Sequence, residues 1–243
     1  MPTPLSNTGY CSICRAQRVF TATGEWLRDQ YLCAGCGSIP RQRALVHVLD
    51  TIRPDWPALT IHESSPTLDY FARTCRSYSC SYFFGDTPPG EYKGDQRCEN
   101  LEALTFANDS FDVFITQDVL EHVVRPAPAL GEIMRVLRSG GLHIFTTPKH
   151  RDLLESRPRV EPDGQGVRHL LDPVYHGSPI DDGKSLVTWD YGADFERRLR
   201  DWSSYLTSTY VLQDRRLGID GEFMEVFVTV KAPVNAVPWV LPT

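Results

Sequence analysis

The 243-residue sequence lacks an excess of positive charge, since 25 Lys and Arg stand against 31 Asp and Glu, a net charge near −6. Nucleic-acid binding proteins usually present a basic face, so this balance disfavours an RNA or DNA partner. The nearest approach to a basic patch is a set of arginines that we interpret as solvated surface: Arg41, Arg43, Arg197, Arg198 and Arg200.

The chain also lacks long apolar runs. Its first ten residues, MPTPLSNTGY, have neither the basic start nor the hydrophobic stretch that export requires. No segment approaches the length needed to cross a bilayer, so no membrane association is expected. We therefore expect a cytoplasmic protein, in which the seven cysteines are metal ligands or buried thiols rather than disulfides.

Four of these cysteines form two C-x-x-C pairs, Cys11 with Cys14 and Cys33 with Cys36, separated by eighteen residues. The spacing is typical of a zinc ribbon or knuckle, because two tight turns can each aim two thiolates at one ion. Four thiolates fill a tetrahedral shell, so a zinc ion here would be structural. The alternatives are coincidental pairs of buried thiols or a redox motif. The other cysteines receive no function: Cys75, Cys80 and Cys98.

Apolar residues at helical spacing predict an amphipathic helix over residues 41–52. Further along, strands and helices alternate, which predicts a parallel sheet covered on both faces. The predicted elements are strands at 59–64, 77–86, 110–118 and 142–148, and helices at 67–75 and 127–137, the last stopped by Gly140-Gly141. Two β-rich runs, 210–219 and 222–232, flank Asp220-Gly221, a pattern that predicts an antiparallel hairpin.

Residues 101–148 resemble the core of small-molecule class I methyltransferases that use S-adenosylmethionine. The matching pieces are Asn100-Leu101, Leu104-Thr105-Phe106, Ser110-Phe111-Asp112, Glu132 to Leu137 and Gly140-Gly141. The cysteine pairs are similar to those of a subgroup in which a zinc knuckle precedes this domain. The resemblance implies an α/β, Rossmann-like fold with a mostly parallel sheet that ends in an antiparallel hairpin, preceded by a small zinc-ribbon-like element. The expected divisions are a knuckle at 1–40, a linking helix at 41–58, a methyltransferase-like domain at 59–232 with a substrate insertion at about 149–206, and a tail at 233–243.

One departure from the family lies after the first strand of the sheet. The family has a glycine-rich turn there, whereas this chain reads IHESSP at 61–66. Glycine permits positive φ and a close backbone approach to the ligand. We therefore expect an altered cofactor-binding turn, with loss of cofactor binding as the alternative.

The resemblance also implies which residues meet S-adenosylmethionine. Asp86 would accept hydrogen bonds from the ribose, or act only as a turn residue, and Asn100 would contact the adenine, or cap local backbone. Asp118 would lie beside the sulfonium, or cap the following helix. The full expected cofactor set is Glu63, Ser64, Ser65, Asp86, Asn100, Leu101, Gln117 and Asp118.

Catalysis needs a group that can take a proton from an acceptor hydroxyl. The candidates are His122 and His150, since histidine titrates near neutral pH, together with Asp118. On the acceptor side we expect Tyr175, His176 and Trp189, because aromatic rings among carboxylates suit a sugar-like molecule.

The leading hypothesis is O- or N-methylation of a small molecule, such as a sugar or natural-product scaffold. One alternative is a non-catalytic binding module whose knuckle recruits a partner. The other is an RNA methyltransferase, which the acidic balance disfavours.

Overall fold

The computed structural model describes residues 5–164, 166–177 and 184–232. It begins with a three-stranded antiparallel sheet that carries both cysteine pairs, with a short helix between its second and third strands. These elements are β1 Ser6–Cys11, β2 Ala16–Ala22, α1 Leu27–Gln30 and β3 Tyr31–Cys33. Helix α2, Pro40–Ile52, follows and confirms the predicted helix at 41–52. The predicted tail at 233–243 lies outside the described residues.

The second unit is built around a six-stranded sheet. Its first part contains β4 Thr60–Ser64, α3 Tyr70–Thr74, β5 Ser77–Ser81, the small hairpin β6 Tyr92–Lys93 and β7 Gln96–Arg97, β8 Phe111–Gln117, α4 Pro126–Val136 and β9 Leu137–Thr146. An inserted region follows, with β10 Arg157–Pro158, β11 Val160–Pro162, β12 Val167–His169, β13 Tyr175–His176, β14 Ser185–Leu186 and β15 Trp189–Asp190. The chain closes with α5 Phe195–Ser203, β16 Thr207–Val211 and β17 Glu225–Val230. Short 3-10 turns lie at Trp56–Ala58, Leu120–His122 and Arg215–Leu217.

The strand order of the central sheet is β5-β4-β8-β9-β17-β16. The first four strands are parallel, and β17 runs antiparallel to both of its neighbours. This confirms the predicted α/β fold with a mostly parallel sheet and an antiparallel end. Among the described residues no helix is long and apolar enough to span a membrane.

Successive residues of a strand point to opposite faces of the sheet and pack into two different hydrophobic cores. On β8, Val113 and Ile115 pack with the knuckle and α2, while Phe114 packs with α4 and α5. The first core runs without a break from Phe20 of the knuckle through Leu45 of α2 into the sheet. The knuckle therefore shares its hydrophobic core with the sheet, and the divisions at residues 40 and 58 stay predictions.

The interpretation of the arginines as solvated surface is wrong for Arg43. Its side chain is fully buried and its guanidinium donates to the carbonyl oxygens of Ser38, of Tyr31 at 2.7 Å and of Gly218 at 3.0 Å. The same group lies 4.7 Å from the centre of the Phe20 ring. A buried guanidinium needs several acceptors, and here they come from parts of the chain that are distant in sequence.

Several predicted element ends are also wrong. Helix α4 ends at Val136, so Gly140-Gly141 does not stop it and instead forms a bend inside β9, where Gly140 has a φ of 77°. The helix predicted at 67–75 and the strand predicted at 77–86 are both longer than the elements in the structure, α3 and β5. Strands β16 and β17 form the predicted antiparallel pair. They are joined by residues 212–224 rather than by a tight turn at Asp220-Gly221, and Asp220 accepts hydrogen bonds from Gln213 and Arg215 within this connection.

Candidate cofactor and acceptor cleft

The carboxyl ends of β4 and β8 open into a cleft of about 1250 Å³. Ligands in open α/β sheets bind at this edge, and the volume exceeds that of most single small-molecule sites. The knuckle supplies a second wall through Trp26 and Arg28, and the inserted region supplies a third. The cleft can therefore take a nucleoside-sized cofactor together with a second molecule.

The glycine-free turn after β4 adopts the conformation that glycine usually provides. Ser65 has a φ of 55°, in the left-handed region, and its N–H donates to the Ser81 carbonyl at 2.8 Å. A non-glycine residue there stores about 1 kcal/mol of strain, which the surrounding structure must hold. Ser64 and Ser65 both line the cleft, so the turn stays open to a ligand despite its serine and proline residues.

Glu63 lies behind this turn rather than in the cleft lining. Its carboxylate accepts from the Tyr78 hydroxyl at 2.8 Å and from the Gln117 side-chain amide at 2.9 Å. Burial raises the pKa of Glu63 to about 7, although both hydrogen bonds act in the opposite direction. Gln117 does line the cleft, and its Oε1 is buried without a hydrogen-bond partner among the described residues. Glu63 thus acts by holding the Gln117 amide.

Asp118, which follows β8, is bound by two arginines from the N-terminal part of the chain. Its Oδ2 lies 2.7 Å from Arg28 Nη1 and 2.9 Å from Arg41 Nε, and Thr146 donates to its Oδ1 at 2.8 Å. Burial acts to raise the pKa of Asp118, but the two guanidinium groups hold it well below its usual range.

A carboxylate held ionised by two cations is a poor proton acceptor, so this arrangement disfavours the catalytic role expected for Asp118, which stays a prediction. Asp118 does not cap the following 3-10 turn either, which has no side-chain cap. Sequence reasoning missed Arg28 altogether and interpreted Arg41 as solvated surface. The Arg41 side chain is only 14% exposed and lines the cleft, with Nη1 buried and without a hydrogen-bond partner in the described part of the chain.

The part of the cleft that the inserted region lines, which we call the acceptor half, contains a second group of polar side chains. Glu121 is 2% exposed, and its Oε2 accepts from the Thr147 hydroxyl at 2.9 Å. Burial, with the nearby charge of Asp118, raises the pKa of Glu121 to about 8. Its Oε1 lies 3.9 Å from His122 Nε2 and 3.8 Å from His176 Nδ1. Sequence reasoning chose the two histidines and missed Glu121, although it stands next to His122 in DVLEHV.

The other expected cofactor residues divide into two groups. Asn100 and Leu101 line the cleft, and the side-chain Oδ1 of Asn100 also accepts from the Glu102 backbone N–H at 2.9 Å, so the local-backbone alternative is present too. Asp86 is placed elsewhere: its side chain is 67% exposed, pairs with Lys93 at 2.7 Å and is not part of the cleft. The ribose role of Asp86 is not supported by this position, because the loop after β5 carries Asp86 past the edge of the sheet.

The expected acceptor-side residues divide in the same way. His150 and Trp189 line the cleft, and the Trp189 indole donates to the Val124 carbonyl at 3.2 Å. Tyr175 is 52% exposed and lies outside the cleft, so its expected substrate role stays a prediction that the cleft does not support. Residues alternate across the short strand β13, which brings His176 to the cleft and turns Tyr175 away from it. Residues 178–183, part of the expected substrate insertion, lie outside the described residues.

The four knuckle cysteines form a compact cluster. All four sulfur atoms lie within 4.8 Å of one another, with Cys11 to Cys36 and Cys14 to Cys33 both at 3.8 Å. Tetrahedral zinc with Zn–S bonds of about 2.3 Å would place its sulfur atoms roughly 3.8 Å apart. The donor set and its spacing therefore fit a structural zinc ion.

Comparisons with known proteins agree with this architecture. A methyltransferase domain model matches residues 85–145. A ubiquinone biosynthesis O-methyltransferase from Parvibaculum lavamentivorans is 42% identical over 53 residues, 22% of this chain and 21% of that protein. The chain thus spans only about a quarter or less of the curated relatives it matches first, 27% and 21%.

Two solved structures share the fold. An S-adenosylmethionine-dependent methyltransferase from Mesorhizobium loti has 16% identity and a TM-score of 0.50, covering 77% of this chain and 97% of its own. An amino pentose methyltransferase from Micromonospora echinaspora, solved with S-adenosylmethionine bound, has 10% identity and a TM-score of 0.50, covering 81% and 93%. The resemblance found in residues 101–148 is confirmed: residues 85–145 match a methyltransferase domain, and the sheet has the class I methyltransferase fold.

Glu63 gives the unliganded protein a specific pH dependence of stability. Its pKa rises from an ordinary 4.5 to about 7 on folding, so the folded state holds this proton more tightly than the unfolded state. We expect the Glu63→Gln variant to gain about 3 kcal/mol relative to the wild type between pH 4.5 and pH 7, because only the wild type must ionise a buried carboxyl. Urea unfolding of both proteins across this range measures the difference, and a pH-independent difference would contradict the assignment.

Proposed function

We propose that this protein is a methyltransferase that transfers the methyl group of S-adenosylmethionine to a hydroxyl group of a small, sugar-like acceptor. The observation that carries the proposal is a pair of buried polar atoms in the cleft, Gln117 Oε1 and Arg41 Nη1, neither of which has a hydrogen-bond partner among the described residues. One is an acceptor and the other a cationic donor. The amino-acid end of S-adenosylmethionine carries an ammonium and a carboxylate that would satisfy both.

The rest of the cofactor would follow the same edge of the sheet. The bend at Ser64 and Ser65 would pass beneath it, and Asn100 with Leu101 would meet the adenine. Leucine can cover the face of the ring while the side-chain amide hydrogen-bonds to its edge. The bound cofactor supplies an activated methyl group on a sulfonium, so the protein's own task is to position the acceptor and ionise its hydroxyl.

The acceptor would lie between the end of β8 and the inserted region. Thr188 fixes this wall, because its hydroxyl lies 3.0 and 2.8 Å from the carbonyl oxygens of Glu121 and Val123 and shares its proton between them. The wall offers imidazole and indole groups to a polyhydroxylated molecule through His122, His150 and Trp189. Oxygen as the acceptor atom is supported by the similar O-methyltransferase and by the clustered polar side chains in this half of the cleft.

The knuckle would serve this function as a zinc-stabilised wall of the cofactor site. Helix α1 lies between the two cysteine pairs and carries Arg28 to the cleft. Four thiolates without a cation would not remain together, so zinc would hold α1 in place. The same arrangement argues against a knuckle that serves only to recruit a partner.

Substitution of Arg41 separates the two ends of the cofactor. We expect Arg41→Gln to weaken S-adenosylhomocysteine binding about 10-fold or more, since a charge-assisted hydrogen bond to the carboxylate is lost. Methylthioadenosine lacks the amino-acid end and should bind wild type and variant alike. Calorimetric titration with both ligands measures this. If neither ligand binds the wild type, the proposed activity is wrong, and if the variant loses both ligands equally, the role of Arg41 is wrong.

Removal of a zinc ligand should affect the cleft at a distance. We expect the purified protein to contain about one zinc ion and Cys14→Ser to lose it, as measured by elemental analysis. S-adenosylhomocysteine affinity should fall with it, because α1 and Arg28 lose their anchor. Cys75→Ser, outside the knuckle, is the matched control and should keep both zinc and affinity. Zinc loss with unchanged ligand affinity would show that the knuckle is not a wall of the site.

A further inference from the structure

Three side chains in the acceptor half of the cleft have the donor atoms of a divalent metal site. One atom each from Glu121, His122 and His176 lies within 4.8 Å of the other two. A metal bound at about 2.1 Å by imidazole and carboxylate ligands needs donor atoms about 3 to 3.4 Å apart. The observed separations from Glu121 Oε1, 3.8 and 3.9 Å, would have to close by only about half an ångström.

An independent observation concerns the Glu121 carboxylate itself. The side chain is 2% exposed, and Oε1 has no hydrogen-bond partner in the described part of the chain. A buried carboxylate oxygen without a partner is unfavourable and rare. Thr147 holds the other oxygen, so the unpartnered one is directed at the two imidazole rings. A cation between these three groups would satisfy it.

The orientation of His122 fits metal binding. Its Nδ1 lies 2.8 Å from the Leu186 carbonyl oxygen, which can only accept, so Nδ1 carries the proton and Nε2 presents a lone pair towards Glu121. A backbone carbonyl that fixes the second nitrogen in this way is the usual support of a metal-binding histidine.

The local charges leave room for a cation. Arg28 and Arg41 are matched by Asp118 and by Asp29, whose Oδ1 lies 3.8 Å from each guanidinium. The ionised Glu121 would then carry the remaining charge of the group.

We propose that Glu121, His122 and His176 bind a divalent transition-metal ion, whose remaining coordination positions face the cleft and accept one or two hydroxyl oxygens of the acceptor. Two imidazoles and one carboxylate can hold divalent first-row metals such as manganese, iron, cobalt or zinc. Three protein ligands with open positions are typical of metals that act on substrate, unlike the closed four-thiolate knuckle. An acceptor with two adjacent hydroxyls, as in a sugar diol or a catechol, fits such a site best.

The role of this metal rests on the proposed function. Coordination lowers the pKa of the acceptor hydroxyl, and its proton passes to water. The oxygen then forms a bond to the methyl carbon while the carbon–sulfur bond breaks and its electron pair stays on sulfur. The products are a methyl ether and S-adenosylhomocysteine, with one proton released.

Manganese binding tests the site without reference to turnover. Mn²⁺ avoids the thiolate knuckle, and the free ion gives an electron paramagnetic resonance signal that is lost on binding. In protein that holds one equivalent of zinc, bound by the knuckle, and with S-adenosylhomocysteine present, we expect one Mn²⁺ site. Glu121→Gln and His176→Ala should each weaken it 10-fold or more, whereas His169→Ala, an exposed histidine outside the cleft, should not.

Every outcome of this titration decides the proposal. An absent Mn²⁺ site in the wild type, or a site that neither variant weakens, would overturn it. Calorimetric titration of S-adenosylhomocysteine without added metal separates the two levels of inference. If that ligand binds and Mn²⁺ does not, the metal site is wrong and the proposed methyltransferase activity stands. If Mn²⁺ binds at the three residues and S-adenosylhomocysteine does not bind, the metal site stands and the proposed methyltransferase activity is wrong.

Discussion

The carboxylate of Asp118 is where three parts of the molecule meet. Arg28 reaches it from the knuckle, Arg41 from the start of α2, and Thr146 from β9. A buried carboxylate must be paired or lose its charge, and removal of one partner of such a group commonly costs about 3 to 5 kcal/mol. The backbone of Asp118 is itself in the left-handed region, with a φ of 53°. The end of β8 and the knuckle therefore stabilise each other, and the cleft between them depends on both.

This dependence explains how a chain with an acidic balance can place positive charge in its cleft. The positive groups come from the knuckle and from α2, and they line one wall of the cleft. An acidic and imidazole-rich group, at Glu121 and His176, lies beside them in the same cleft. Thr188 fastens the inserted region to the segment after β8. A charged cofactor and a polyhydroxylated acceptor would each meet complementary chemistry.

The sequence predicted what local patterns control. The C-x-x-C spacing predicted the cysteine cluster, and alternating strands and helices predicted the sheet, including its antiparallel end. It failed where partners are remote: the acceptors of Arg43 lie as far away as Gly218, and the pairing of Asp118 joins residues 90 positions apart. The place of Asp86 outside the cleft lining could not be predicted, because a type of residue expected after a strand says nothing about how far the loop carries it. Glu121 was overlooked because nothing local distinguishes a buried carboxylate from a helix-surface one.

The claim that the knuckle and the sheet form one site through Asp118 is tested most directly by a double-mutant cycle. Arg28→Met, Asp118→Asn and the double variant would be compared with the wild type by urea unfolding of the zinc-loaded protein. The account predicts a coupling free energy of about 2 kcal/mol or more, because each single change leaves a buried charge less well paired. Single effects that add within about 0.5 kcal/mol would contradict it, since independent sites behave in that way.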